Sequence, residues 1–124
     1  MERLTTDHSY VQLLYQSGAI SFEEMATHPD KNVITQCLGS IDIEHVKVDI
    51  VQREWHKNDR VLLCSDGLSD AVDDPTICDI ISAHDDINSA VKALIQQAID
   101  AGGRDNISVS IVSKPPTGFR RILR

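Results

Sequence analysis

Residues 60–70, RVLLCSDGLSD, join an apolar run to a pair of carboxylates. Because RVLLCS is continuously apolar after its first residue, it predicts a strand that is buried on both faces. The run ends at Asp66-Gly67, and Asp70 follows four positions after Asp66. Asp-Gly is also among the commonest turn dipeptides, so the same letters fit a plain surface turn. The letters therefore fit two interpretations, a surface turn and a metal-binding strand end.

A second carboxylate occupies a similar place further along the chain. Apolar residues recur at three-and-four spacing from about 86 to 101, which predicts a helix that ends at Gly102-Gly103. The letters RDN then lead into the alternating ISVSIV, so Asp105 lies where a loop enters a strand. Mg²⁺ and Mn²⁺ prefer oxygen ligands and are commonly held by one or two carboxylates with water. Asp66 and Asp105 would suit such an ion if their strands are neighbours in one sheet.

Several shorter helices are predicted elsewhere. One follows TTDHS, with Asp7 or a neighbouring Thr as its cap, and SFEE reads as a capping box that begins another at Ser21. Residues 29–39 and 74–83 each have a proline in the first turn and apolar residues at helical spacing. These patterns predict four helices in addition to the long one.

One further strand completes the predicted fold. Residues 46–50, VKVDI, alternate as a half-exposed strand should, and we expect them to form a hairpin with the run at 60–65. The mixture of helices and strands predicts an α+β fold. We expect residues 1–113 to form the domain portion and 114–124 to form a basic, proline-broken tail.

Composition excludes several classes of function. The 124 residues contain 12 Lys and Arg against 19 Asp and Glu, a net charge of −7, which disfavours nucleic acid and anionic membranes as partners. No apolar window is long enough to span a bilayer, and no secretory signal is present. Cys37, Cys64 and Cys78 fit neither a disulfide framework nor a zinc motif. We therefore expect a soluble cytoplasmic protein with reduced thiols.

The motifs resemble those of one enzyme family. RVLLCSDGLSD followed by GGRDNISVSIV resembles the C-terminal half of the metal-dependent protein phosphatases, the PPM or type 2C serine/threonine phosphatases. LTTDHS and HPDKNVITQCLG occur in the same order in the bacterial members. The resemblance covers residues 4–112 and implies the C-terminal portion of a four-layer α/β/β/α sandwich, an antiparallel β-sandwich flanked by helices. It also implies a two-metal site that activates water for attack on phosphoserine or phosphothreonine.

The resemblance assigns roles to individual residues. Asp66 and Asp105 correspond to metal ligands for Mn²⁺ or Mg²⁺, and Asp70 corresponds to an accessory-metal or outer-shell carboxylate. Gly67 and Asn106 correspond to structural positions at the site. No residue of this chain is assigned as catalytic.

Part of the family pattern is absent from the chain. The family's D-G-x-G-G motif, whose aspartate bridges the two metals, does not occur, and the only Asp-Gly is Asp66-Gly67. We therefore expect weak cation binding and no efficient phosphatase activity from this chain alone. We also expect self-association or complementation by the missing N-terminal half, with a phosphoprotein as the substrate of the complete enzyme.

Two functional hypotheses stand at this point. The first is a partial catalytic domain of a serine/threonine phosphatase, and the second is a non-catalytic phosphatase-like binding or regulatory module. Phosphatases with an aspartyl-phosphate intermediate are excluded, because no D-x-D follows a buried strand. Ser65 also lacks the flanking glycines of a nucleophile elbow.

Overall fold

A computed structural model describes residues 1–41 and 45–114. The chain divides into two compact units, Glu2–Gln52 and the chain from Arg53 onward, which are described one at a time. Nowhere in the described residues is there a helix both long and apolar enough to cross a membrane.

The first unit begins with helix α1, Tyr10–Gln16, where the sequence predicts a helix. Its cap is Ser9, whose hydroxyl accepts the N–H of Gln12 at 3.3 Å, so the predicted cap at Asp7 or a neighbouring Thr is wrong. Serine at this position satisfies a backbone N–H that the helix itself leaves without a partner. The chain leaves α1 through Gly18, which has a φ of 76°.

Helix α2, Phe22–Thr27, has the predicted capping box. The Ser21 hydroxyl accepts the N–H of Glu24 at 3.3 Å, and the Glu24 carboxylate accepts the N–H of Ser21 at 2.7 Å. Both bonds are local, which explains why the pattern is readable from four adjacent letters.

The helix predicted at 29–39 does not form. This segment runs beside the start of α1, with the Tyr10 N–H donating to Val33 O at 2.8 Å and the Thr35 N–H donating to His8 O at 2.7 Å. Backbone groups that bond to another segment are not available for the i to i−4 bonds of a helix. The prediction was wrong because these partners are distant in sequence.

The strand predicted at 46–50 is also absent, and no strand lies beside it in the described part of this unit. Val48 and Ile50, on its apolar face, are 78% and 82% exposed. Asp49 instead bonds to Lys47 at 2.8 Å and His8 at 3.2 Å. These bonds, that of Lys47 above all, lower the pKa of the exposed Asp49 carboxylate.

The second unit contains a two-stranded antiparallel sheet. Strand β1, Arg60–Cys64, pairs with strand β2, Val109–Ser113, so that Leu62 is opposite Ile111. The predicted hairpin between residues 46–50 and 60–65 is therefore wrong, since β1 takes its partner from the far end of the unit.

Three helices come between the two strands in the order of the chain. They are α3, Asp66–Ser69; α4, Asp74–Ala83; and α5, Ile87–Asp100. The predictions for α4 and α5 are confirmed. Asp73 accepts the N–H of Thr76 at 2.9 Å, and Asp86 accepts that of Ser89 at 2.8 Å, so both helices begin at an aspartate cap.

Arg60 connects β1 to the turn between α4 and α5. Its guanidinium donates to the carbonyl oxygens of Ile81, His84 and Asp85 at 2.5, 2.6 and 3.1 Å. Carbonyls at a helix C-terminus have no partner within the helix, and a cation is favourable there. Arg60 thus fixes the strand against the end of α4.

The core of this unit lies between one face of the sheet and the helices. Its fully or nearly fully buried members are apolar: Leu68, Val72, Ile77, Leu94 and Ala98. The opposite face of the sheet is not covered within the described residues, since Leu63 is 57% exposed and Val112 is 46% exposed. The prediction that β1 is buried on both faces is therefore wrong for this chain, whereas the predicted α+β fold class is confirmed.

Candidate metal centre

The first predicted ligand, Asp66, begins helix α3 directly after β1. Ser65 lies between strand and helix in extended conformation, and Asp66 and Asp70 are both exposed. The Asp70 N–H donates to the carbonyl of Asp66 at 2.8 Å, so the two aspartates are separated by one helical turn. Asp66-Gly67 therefore starts a helix that immediately follows a strand, rather than forming an isolated surface turn.

The second predicted ligand, Asp105, lies between α5 and β2. Helix α5 is followed closely by Gly102 and Gly103, with φ values of 127° and 51°, which L-residues with side chains rarely adopt. These two glycines turn the chain back toward the sheet. Asp105 is exposed, and its Oδ1 accepts the N–H of Asn106 at 2.6 Å, which fixes one carboxylate oxygen against the backbone.

Pairing of the two strands brings both ligand positions to the same end of the sheet. Cys64 is opposite Val109 in the last pair of the ladder. One residue further, the Ser65 N–H donates to the carbonyl of Ser108 at 3.0 Å. The strands beside Asp66 and Asp105 are therefore neighbours, as the sequence analysis required for a shared ion.

Side-chain bonds of Ser65 extend this contact beyond the ladder. Its hydroxyl donates to the carbonyl of Asn106 at 3.0 Å and accepts the N–H of Ser108 at 3.0 Å. Sequence reasoning considered Ser65 only as a nucleophile and missed this role. The signal was a hydroxyl residue between the end of an apolar strand and an aspartate, where it can bond to a neighbouring strand.

Gly67 allows the closest approach of the two segments. It is buried, and a Cβ at this position would overlap the carbonyl oxygen of Asn106 and lie 3.0 Å from its carbonyl carbon. Gly67 does not have a positive φ. Its lack of a side chain therefore serves backbone contact, and the structural positions predicted at Gly67 and Asn106 touch each other.

The residues at this end of the sheet fit a hard divalent cation in part. Asp66 and Asp105 supply carboxylate oxygens, the donor type that Mg²⁺ and Mn²⁺ prefer, and a cation held by two carboxylates completes its shell with water. Across the described residues, however, no group of three or more His, Cys, Asp or Glu side chains is placed to hold a metal ion. The ligand roles of Asp66, Asp105 and Asp70 remain predictions.

Comparison with known proteins identifies relatives that cover most of this chain. Protein phosphatase PhpP of Streptococcus pneumoniae is 37% identical over 111 residues, which are 90% of this chain and 44% of PhpP. The crystal structure of the PPM Ser-Thr phosphatase MsPP from Mycobacterium smegmatis, in complex with cacodylate, matches with a TM-score of 0.78 at 36% identity. That match covers 91% of this chain and 47% of MsPP. The chain corresponds to the C-terminal half of the PPM-type phosphatases.

The PPM-type relatives also include a metal-bound structure. The catalytic domain of the serine threonine protein phosphatase PstP, solved in complex with two manganese ions, matches with a TM-score of 0.72 at 34% identity over 87% of this chain and 42% of that catalytic domain. The chain spans less than half the length of its curated relative PhpP. No model of a known protein family matches it.

Proposed function

We propose that this chain supplies the C-terminal part of the metal centre of a PPM-type serine/threonine phosphatase, with Asp66 and Asp105 as its ligands. The observation that carries the proposal is the position of these two aspartates at one end of two hydrogen-bonded strands. Relatives of the same fold are serine/threonine phosphatases, and one of them was solved with manganese.

Each residue has a separate task in this proposal. Asp66 and Asp105 hold Mn²⁺ or Mg²⁺, and Asp70 acts as an outer-shell or accessory-metal carboxylate one turn away. Such an ion supplies Lewis-acid chemistry toward a phosphoryl oxygen and lowers the pKa of bound water. Gly67 and Asn106 keep the two ligand-bearing segments together.

We propose further that the remaining ligands come from a segment equivalent to the N-terminal half of the relatives. Two carboxylates bind a hard cation weakly, because most of its coordination sites are left to water. The described residues hold no third ligand close to this pair. The 124 residues alone should therefore hydrolyse phosphoester bonds slowly, whereas the complete domain acts on phosphoserine or phosphothreonine in proteins.

Complementation tests this proposal directly. The N-terminal half of PhpP is expressed separately, mixed with this chain, and assayed for Mn²⁺-dependent hydrolysis of p-nitrophenyl phosphate and of a phosphothreonine peptide. We expect turnover from the mixture, little from either part, and little when the chain carries Asp105→Asn. Hydrolysis by this chain alone at the rate of complete PhpP would contradict the proposal, as would a mixture that assembles but remains inactive.

The second candidate is a non-catalytic phosphatase-like binding module. It is favoured by the absence of a third clustered ligand in the described part of the chain. Manganese binding distinguishes the two, because a binding module has no need to keep Asp66 and Asp105 competent as ligands. Retention of Mn²⁺ binding that depends on both aspartates would favour the phosphatase.

We also propose that the protein works in the cytoplasm and takes neither nucleic acid nor membrane as a partner. Its net charge of −7 supports this, as does the absence of a disulfide among its three cysteines, all of which the structure describes. Cell fractionation would test the location, and recovery of the native protein from the membrane or the extracellular fraction would contradict it.

A further inference from the structure

The Ser65 hydroxyl bonds to a neighbouring segment instead of capping the helix that follows it. Ser65 is the residue before the first turn of α3, where serine commonly accepts a backbone N–H of the helix. Here its side chain makes no capping bond to α3. The hydroxyl is instead directed across the sheet, where it donates to Asn106 O and accepts the Ser108 N–H, each at 3.0 Å.

These two bonds join the segments that carry the predicted ligands. Ser65 immediately precedes Asp66, and its acceptor is the carbonyl of Asn106, the residue directly after Asp105. Asp105 is in turn fixed by the bond from the Asn106 N–H to its own Oδ1. Hydrogen bonds therefore connect Ser65, the residue before Asp66, to Asn106 and, through Asn106, to the carboxylate of Asp105.

We propose that Ser65 is a positioning residue that sets the distance between Asp66 and Asp105 for metal binding. This inference rests on the proposed function, since it assigns to Ser65 a task at the same metal centre. Ser65 itself need not touch the ion. Loss of a residue that orients a metal ligand commonly weakens binding about 10- to 100-fold.

Paramagnetic broadening by Mn²⁺ can measure the affinity of the centre. In the full chain labelled with ¹⁵N, the amide signals of Gly67 and Asn106, which lie at the contact between the two ligand-bearing segments, report an ion bound there. In the wild-type chain both signals should broaden at the same Mn²⁺ concentrations. In Ser65→Ala both signals should need about 10-fold more Mn²⁺ for the same broadening.

Two further variants separate positioning from general stability. Ser65→Thr keeps the hydroxyl and should restore broadening at the wild-type Mn²⁺ concentration. Ser110→Ala removes an exposed serine hydroxyl from β2 and should behave as wild type. If Ser65→Ala does not fold, Ser65→Cys, which keeps the size and weakens the bonds, replaces it in the same comparison.

The outcomes are distinct for the two proposals. Broadening that needs about 10-fold more Mn²⁺ in Ser65→Ala, and the wild-type concentration in Ser65→Thr, supports the positioning role. Broadening at the wild-type Mn²⁺ concentration in a folded Ser65→Ala or Ser65→Cys overturns the positioning role and leaves the metal centre intact. Absence of broadening at both amides in the wild-type chain overturns the metal centre and the positioning role together.

Discussion

Gly67 lies directly against the carbonyl group of Asn106, leaving no room for a side chain between α3 and the loop before β2. The atoms in the way are backbone atoms, which cannot rotate aside as a side chain could. The two segments that carry Asp66 and Asp105 are therefore in contact through their main chains. The spacing of the candidate ligands depends on this contact as well as on the strand pairing.

Gly67→Ala should destabilise the protein by about 1–3 kcal/mol, the usual range for a group forced into a packed site. The Asn106 carbonyl must move away, so Mn²⁺ binding should weaken as well. Urea unfolding and Mn²⁺ titration measure the two effects. Ser69→Ala, an exposed change in the same helix, is the control, and equal stability of the two variants would show that the contact is not close in solution.

Asp66→Asn and Asp105→Asn should each weaken Mn²⁺ binding by at least about 10-fold, the lower end of the effect of losing even an outer partner of a ligand. Asp70→Asn should have a smaller effect, because Asp70 is assigned to the outer shell or an accessory metal. Electron paramagnetic resonance of free Mn²⁺ measures the affinity. Asp100→Asn, an exposed carboxylate on α5, is the control, and an effect as large as that of Asp66→Asn would exclude a specific site.

Arg60→Ala should lower the free energy of unfolding by about 1.5–3 kcal/mol, the typical contribution of hydrogen bonds to a charged group. Three carbonyls at the turn after α4 lose their donor in this variant. Arg60→Lys should recover only part of the loss, since an ammonium group lacks the planar fork of a guanidinium. Urea unfolding measures the change, with Lys92→Ala on exposed α5 surface as the control. A loss in Lys92→Ala equal to that in Arg60→Ala would contradict the role of Arg60.

The cap of α5 should make stability depend on acid pH. Hydrogen bonds from the Ser89 side chain and backbone lower the pKa of Asp86 below 3.8. The ionised carboxylate thus favours the folded protein, so its contribution is complete above the unfolded-state pKa and is lost as the pH falls through the lower folded-state pKa.

Urea unfolding between about pH 5 and pH 2 measures this effect. Asp86→Asn keeps an acceptor at the cap but cannot titrate, so its stability should fall less over this range. Ser89→Ala removes one of the donors and should give an intermediate slope. An Asp86→Asn protein with the slope of the wild type would contradict the assignment.

The uncovered face of the sheet should promote self-association of the isolated chain. Leu63 and Val112 expose apolar side chains there, and contiguous exposed apolar surface favours association. Leu63→Gln should shift the sedimentation profile toward monomer at high protein concentration. Ile99→Gln, at a 51% exposed position on α5, should change it less. A wild-type chain that sediments as monomer at all concentrations would show that this face needs no cover.

Sequence reasoning succeeded where the determining contacts are local. Helices α4 and α5 are specified by an aspartate cap at one end and, for α5, by Gly102-Gly103 at the other. All of these lie within one or two turns of the helix they delimit. Asp66 and Asp105 were singled out in the same way, from a carboxylate next to glycine and an apolar strand.

The failures have a common physical origin in contacts between distant parts of the chain. Val33 and Thr35 bond to Tyr10 and His8 through their backbone groups, and these bonds replace the i to i−4 bonds of a helix. Residues 46–50 carry a strand pattern, but a strand needs a neighbour to receive its backbone bonds. The task of Ser65 depends on Asn106, whose position no local pattern could give.

Ser65 and its acceptor Asn106 are 41 positions apart in sequence, with α3, α4 and α5 between them. An ion that binds both Asp66 and Asp105 would therefore close a loop containing most of the core, and its binding energy would oppose unfolding of everything enclosed. The ion would then cross-link the end of β1 to the loop before β2. Removing the ion would take this constraint away from the second unit.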